Sequence, residues 1–426
     1  MPSSKLESEM VQRIHHSAVL VNGTKRFGQY DALVETGYKT TTINFNPGKP
    51  TISVILSAME RSDRLKETIT RILAATRLLD AATRILIMDN SIQDGLEAKM
   101  FSWIDCRTSD FLESVVYCHN PRMTQTLGRN IAVKHLTRNS TDIILWDGDI
   151  YCENRCLTLL DQAWKENPHL MAIAPALIGY NSGKIDNRIS KFSDIATSEK
   201  TRSQTHMPGK IGEEIWIRQG NLMRATMMRG AFWVKRKLVD AVAATNPNSD
   251  PWITDFISLN NVPFFIAARE LGFDFAYLLD PDAIVAHDDR VDAFSVGFSL
   301  PMRETQTLME IVALMVRNQV YTSNGQEANP RFLQFNIGEI TRSSSVNKGD
   351  ARLIQTNLLE LAKLISTTND NQSFMSEYSK FKPTIDKKVL SIIDRVVNRM
   401  CSDESLNRIK AMKSIKPSRM MYSVED

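Results

Sequence analysis

The amino-acid sequence predicts an α/β fold, a doubly wound and mostly parallel sheet flanked by helices, with a helical appendage at its C-terminal end. Three observations carry that reading. Short apolar, β-branched runs alternate with amphipathic stretches between Thr51 and Leu279. Polar, turn-prone residues stand immediately after those runs. Beyond Arg303 the pattern becomes wholly helical.

The elements follow in order. Residues 1–50 are polar and punctuated by Gly23, Gly28, Gly37 and the turn Asn46-Pro47-Gly48, which reads as an irregular N-terminal extension with a short strand near Thr40–Phe45. Thr51–Ser57 suits a buried strand. Asp63–Leu79 then places Leu65, Ile69, Ile72, Leu73 and Thr76 at helical spacing. Arg84–Met88 and Ser114–Cys118 are further strands, Leu127–Leu136 a helix, and Thr141–Trp146 a strand that stops at Asp147-Gly148-Asp149. A helix at Cys156–Lys165 and a strand at Met171–Pro175 lead into a long polar stretch, Gly179–Gly212, which at that length reads as a functional loop. Met227–Val234 and Phe275–Leu279 are strands with a helix at Val262–Leu271 between them. Thr307–Val320, Arg352–Ile365 and Lys387–Met400 carry apolar residues at i, i+3, i+4 spacing. The expected organisation is an extension over 1–50, a catalytic domain over 51–302 and a helical region over 303–426.

Composition sets the outer bounds. The chain has 426 residues, 42% of them hydrophobic and 24% charged, as in an ordinary globular protein, which excludes wholesale disorder. Its 52 basic and 49 acidic residues give a net charge of +3, too balanced for a polybasic chain. Five cysteines make no disulfide framework and point to a reducing, cytoplasmic setting. The first residues lack an apolar signal-peptide core. Apolar runs such as Ile85–Met88 and Ile143–Trp146 fall far short of the ~20 residues of a membrane helix.

In doubly wound sheets ligands bind beyond the carboxyl ends of the strands, so Ser57–Arg61, Asp89–Ser91 and Asp147–Asp149 are where chemistry is expected. Two carboxylates two positions apart at a strand mouth repel unless a cation neutralises them, and hard divalent ions prefer such oxygen ligands. A plain turn accounts for an isolated Asp-Gly-Asp equally well; the buried strand before it favours a site. Cys152 and Cys156, one helical turn apart, have no matching Cys/His pair and read as helix thiols rather than a zinc site. The stretch Arg408, Lys410, Lys413, Lys416, Arg419 has no intervening acid and reads as a basic tail.

The ordered set around Asp-Gly-Asp resembles the GT-A glycosyltransferases, particularly the family 2 type that uses nucleotide sugars. TISVIL with its polar turn, RILIMDNS, LGRNIAVKH, IILWDGD, MMRGAFWVKR and LLDPDAIVAHDD appear in that family's order across Thr51–Asp289. The segment is also similar to fungal Golgi α-mannosyltransferase-complex subunits, which retain anomeric configuration. The resemblance implies a GT-A type, Rossmann-like domain and a hexosyltransferase activity drawing on a UDP or GDP sugar with Mn²⁺ or Mg²⁺. It implies that Ser57, Glu60 and Arg61 border the nucleobase, that Asp89 bonds the base or ribose, and that Arg129, Asn130 and Gly230 lie near the nucleotide. It implies that Asp147 faces the ribose or donor sugar and serves the chemistry, and that Asp149 and His287 ligate the metal.

The sequence departs from the family pattern at the catalytic base. Asn260 and Asn261 stand where an acidic pair is expected ahead of the helix ending at Gly272, and an amide cannot take the acceptor's proton. Asp255 is the candidate base, with Asp250 a weaker one; a retaining mechanism needs none, so the stereochemistry stays open. Two other functions stand beside transfer: a non-catalytic GT-A-like binding module, favoured by the two asparagines, and a nucleotidyltransferase, disfavoured because TISVILSAMERSD lacks a glycine-rich loop. The acceptor is open among polysaccharide, protein, lipid-linked sugar and nucleic acid, including modified DNA bases.

Overall fold

The structure is a computed structural model. It describes residues 39–44, 52–58, 62–79, 81–91, 103–104, 111–119, 124–137, 140–180, 218–219, 221–225, 228, 230–246, 249–253, 259–288, 300–317, 337, 340–341, 344, 346–402 and 405–412. Glu60, Arg61, Asp255, most of the polar stretch after Tyr180 and the basic tail beyond Met412 lie outside the described residues.

The strands are β1 (Lys39–Asn44), β2 (Ile52–Ala58), β3 (Thr83–Asp89), β4 (Leu112–His119), β5 (Asp142–Asp147), β6 (Ile150–Cys152), β7 (Leu170–Pro175), β8 (Leu177–Tyr180), β9 (Arg218–Gln219), β10 (Leu222–Ala225), β11 (Ala231–Lys235), β12 (Asp274–Leu278) and β13 (Val285–Asp288). The helices are α1 (Ser62–Thr76), α2 (Gln125–Ile131), α3 (Cys156–Glu166), α4 (Arg236–Ala243), α5 (Val262–Glu270), α6 (Leu300–Arg317), α7 (Lys348–Thr367), α8 (Asn371–Phe381), α9 (Lys387–Ser402) and α10 (Ser405–Met412).

Ten strands form one sheet in the order β1-β4-β3-β2-β5-β11-β7-β12-β10-β9, and a three-stranded sheet, β6-β13-β8, accompanies it. The pairings β2–β3, β3–β4, β2–β5 and β7–β12 are parallel, while β11 runs antiparallel to both β5 and β7. Followed through the pairings, only β1, β10 and β11 oppose the rest, so the sheet is mostly parallel and flanked by helices, as expected. The centre is dry. Ile143–Trp146 of β5 are fully buried, which is why this strand reads as an unbroken apolar run rather than an alternation.

Several expectations are corrected. The strand expected near Thr40–Phe45 is not one of them: it is present as β1, an edge strand pairing antiparallel with β4. The strand expected from Met227 begins only at Ala231, after Gly230 turns the chain with φ of 72°. Cys152 and Cys156 do not share a helix: the first lies on β6 and the second opens α3, and a four-residue spacing cannot distinguish a helical turn from a strand–helix corner. Both thiols are free and buried, and burial pushes Cys152 up to about 12.

The described residues fall into two compact units. One comprises the described residues within 39–180, 218–241 and 273–288; the other those within 242–272 and 300–412. The expected division at 302/303 does not coincide with them, because α5 groups with the C-terminal helices. In the second unit Trp252 stacks on Phe264, whose ring centroids lie 4.8 Å apart, and Glu310 of α6 accepts the Leu259 backbone N–H.

Candidate active site

The site is assembled at the carboxyl end of β5. Asp147 is its last residue, paired in register with Ser57 of the parallel neighbour β2. The Gly148 N–H donates to the Ser57 carbonyl at 2.8 Å, folding the turn back over β2. A Cβ on Gly148 would stand 2.6 Å from that carbonyl, so only glycine fits. The Thr68 hydroxyl of α1 bonds the Gly148 carbonyl at 2.9 Å and secures the turn from the other side. Behind it, the Asp147 N–H donates to the Gly230 carbonyl at 2.8 Å, which places Gly230 beside Asp147.

The cation that neutralises the first carboxylate belongs to the protein. Arg129 of α2, only 1% exposed, donates from Nη2 to Asp147 Oδ1 at 2.9 Å, and the Gln125 side-chain amide donates to the same oxygen. Burial depresses the pKa of the guanidinium, and Asp147 partly restores it. Gln125 and Arg129 stand at i and i+4 on one face of α2, where both reach one partner. The sequence reading starts that helix at Leu127 and misses Gln125. The signal available is Thr124, whose side chain accepts the Leu127 N–H as the N-cap. Asn130 is buried beside Arg129, and the chain then widens into a π-helical turn over Ala132–Leu136.

The second carboxylate meets the histidine. β13 pairs antiparallel with β6, opposing His287 to Ile150, and the Asp288 N–H donates to the Asp149 carbonyl at 2.8 Å. This register brings His287 Nε2 to 3.5 Å from Asp149 Oδ1, with the imidazole 40% exposed and the carboxylate more sheltered. Cis ligands on an octahedral ion with bonds of about 2.1 Å lie about 3 Å apart, so a small side-chain rotation suits the pair to one divalent cation. No cluster of three or more His, Cys, Asp or Glu side chains suited to a metal occurs among the described residues. A two-donor set is what an Mg²⁺-type ion takes when waters and substrate phosphates complete its shell.

The remaining expected residues are placed as follows. Asp89 is fully buried at the end of β3, accepting from the Ser91 N–H, the Ser91 hydroxyl and the Tyr117 hydroxyl. It thus organises the turn after β3 from within. The Ser57 hydroxyl is buried and makes no hydrogen bond to any of the described residues. Asn261 is buried ahead of α5, and its carbonyl accepts the Phe265 N–H. The reading also missed Arg64, Tyr117 and Tyr151.

Residues 53–225, the segment from β2 through β10, match the family described as glycosyl transferase family 2, so this part of the chain is a glycosyltransferase domain. Three solved structures are similar to it at a distance. A mannosyltransferase from Pyrobaculum calidifontis, in complex with GDP-Man and Mn²⁺, aligns with a TM-score of 0.44 and 12% identity over 94% of this chain and 99% of its own. GalNAc-T7 with UDP, GalNAc and Mn²⁺ aligns at 0.43 and 12%, over 79% and 57%. Residues 1–349 of S. aureus TarS, in complex with UDP-GlcNAc, align at 0.40 and 10%, over 85% and 90%. No curated protein sequence matches the chain.

Proposed function

We propose that the chain moves a hexose from a UDP or GDP sugar to an acceptor, with Mn²⁺ or Mg²⁺ held by Asp149 and His287. The observation that carries this reading is the division of labour within Asp-Gly-Asp. Asp147 is neutralised by Arg129, while Asp149 lies 3.5 Å from an exposed imidazole. A turn that served only the fold would need no second donor on β13.

A bound divalent ion would supply Lewis-acid stabilisation for the departing nucleoside diphosphate. The protein's own residues do the rest. Arg129 and Gln125 lock the Asp147 carboxylate in one orientation, suited to the ribose or donor sugar. Ser57, Glu60 and Arg61 border the nucleobase side, where buried Asp89 serves indirectly by shaping the turn after β3, with Asn130 and Gly230 toward the nucleotide. Asp255 is the proposed base if transfer inverts the anomeric centre. The buried Cys152 and Cys156 thiols, neither in a disulfide, suit a reducing, cytoplasmic compartment. No helix among the described residues is long and apolar enough to cross a membrane. Polysaccharide, protein, lipid-linked sugar and nucleic acid are the acceptor classes to screen.

The test is release of UDP or GDP from a panel of nucleotide sugars with Mn²⁺. Asp149→Ala and His287→Ala are expected to lower release at least ~100-fold, and undiminished turnover in both would overturn the metal assignment. The second reading, a non-catalytic binding module, is favoured by Asn260-Asn261 in place of acids. It predicts a Mn²⁺-dependent melting shift with UDP or GDP and no turnover. Pyrophosphate release from a nucleoside triphosphate would instead indicate nucleotidyl transfer.

A further inference from the structure

We infer that Arg64, Tyr151 and Asp288 form a brace that sets the spacing of Asp149 and His287 and thereby the affinity for the divalent cation; this rests on the metal assignment proposed above. Asp288 follows His287 on β13 and is 1% exposed. Its carboxylate Oδ2 accepts the Tyr151 hydroxyl at 2.7 Å and lies 3.6 Å from Arg64 Nε. Arg64 Nη1 also donates to the Asp288 carbonyl at 3.4 Å. The Asp288 N–H holds the Asp149 carbonyl at 2.8 Å.

One buried residue is therefore tied to both sides of the metal pair, by a backbone bond to Asp149 and by the peptide bond to His287. Tyr151 stands two residues after Asp149, so the hydroxyl bond closes a second link between β6 and β13. Arg64 anchors the arrangement to α1, and Thr68, on the same face at i+4, bonds the Gly148 carbonyl. A single helix face thus grips the Asp-Gly-Asp turn at one point and the histidine strand at the other.

Burying this charge has an alternative that the sequence does not take. A buried ion pair stabilises a fold no better than apolar residues of similar volume, and its best-attested benefit is specificity of arrangement. Here the arrangement specified is the Asp149–His287 separation. Residues that orient metal ligands without touching the ion commonly change affinity by about 10–100-fold when altered. The three are positioning residues, since none is placed on the substrate.

The experiment uses the full-length chain with GDP or UDP present and measures bound Mn²⁺ by electron paramagnetic resonance, alongside apo melting temperature. Tyr151→Phe keeps the ring and removes one bond; Arg64→Lys keeps the charge and removes the fork. Each is expected to weaken Mn²⁺ binding about 10-fold or more, and saturating Mn²⁺ should restore nucleotide release toward the wild-type rate. A purely structural role would lower the apo melting temperature with Mn²⁺ affinity intact in the folded fraction. Should Arg64→Lys fail to fold, Tyr151→Phe decides alone. Wild-type Mn²⁺ uptake with unchanged affinity in Tyr151→Phe overturns the brace and leaves the metal assignment standing; no uptake by the wild type overturns both.

Discussion

Gly148 and Gly230 flank Asp147 and are constrained in different ways. A methyl on Gly148 meets a backbone carbonyl at 2.6 Å, which cannot move without disturbing β2. At Gly230 the nearest atom is the terminal methyl of Ile150, which can swing away, and the cost is chiefly the positive φ. Gly148→Ala is therefore expected to lower stability by roughly 2 kcal/mol or more and to abolish nucleotide release, while Gly230→Ala costs about 1–2 kcal/mol, the price of a left-handed residue with a Cβ. Denaturant unfolding monitored beside activity checks both, and equal losses would contradict the distinction. The Asp-Gly-Asp triplet was legible in the sequence because turn chemistry and the preceding apolar run are local signals. That Arg129 neutralises its first member was not, since a guanidinium in a helix reads as a solvated charge until the sheet is assembled around it.

β5 and α2 carry the site, and both have ends that can be probed. Thr124 caps α2, and its loss in Thr124→Ala is expected to destabilise by about 1 kcal/mol and to loosen Gln125 and Arg129 on Asp147. At the opposite end of β5, burial raises Asp142 from an ordinary 3.8 to about 6, against partial relief from Lys235. Because the folded-state value lies above the unfolded one, the folded chain binds this proton more tightly. The cost is thus absent below about pH 4, grows as pH rises, and is complete above about pH 6. Asp142→Asn should then stabilise the protein at pH 8 by on the order of 1 kcal/mol, allowing for solvent screening, with the gain fading toward pH 4. Melting temperatures across that range check the sign; a gain that increased on acidification would refute it. The periodicity located most helices and central strands to within a few residues. It missed the short strands β6, β8, β9 and β10, which are two to four residues long and gain their conformation from pairing rather than from any pattern of their own.

At the scale of the whole molecule, each of the two compact units has a core of its own to probe. Leu358 of α7 is fully buried among the C-terminal helices, and Leu358→Ala is expected to cost about 2–5 kcal/mol there. Hydrogen exchange should show the loss of protection in α7 and α9, the latter packed against the former. Protection lost first in β2 and β5 would assign Leu358 to the wrong core. The grouping of α5 with this unit was hidden in the sequence, because an apolar helix between two strand patterns looks like part of the sheet domain whichever unit buries it.

Alternation of apolar runs with amphipathic helices was enough to specify an α/β sheet, the order of its central elements and the position of a carboxylate pair at a strand end. Those features arise from burial and turn preference within a dozen residues, and composition records them directly. The meeting of Asp149 with His287, the pairing of Arg129 with Asp147 and the engagement of Asp288 by Arg64 and Tyr151 arise from strand register and helix docking. Such contacts join residues remote in the chain, and their partners are selected by which buried edges pair, a choice that no local pattern encodes.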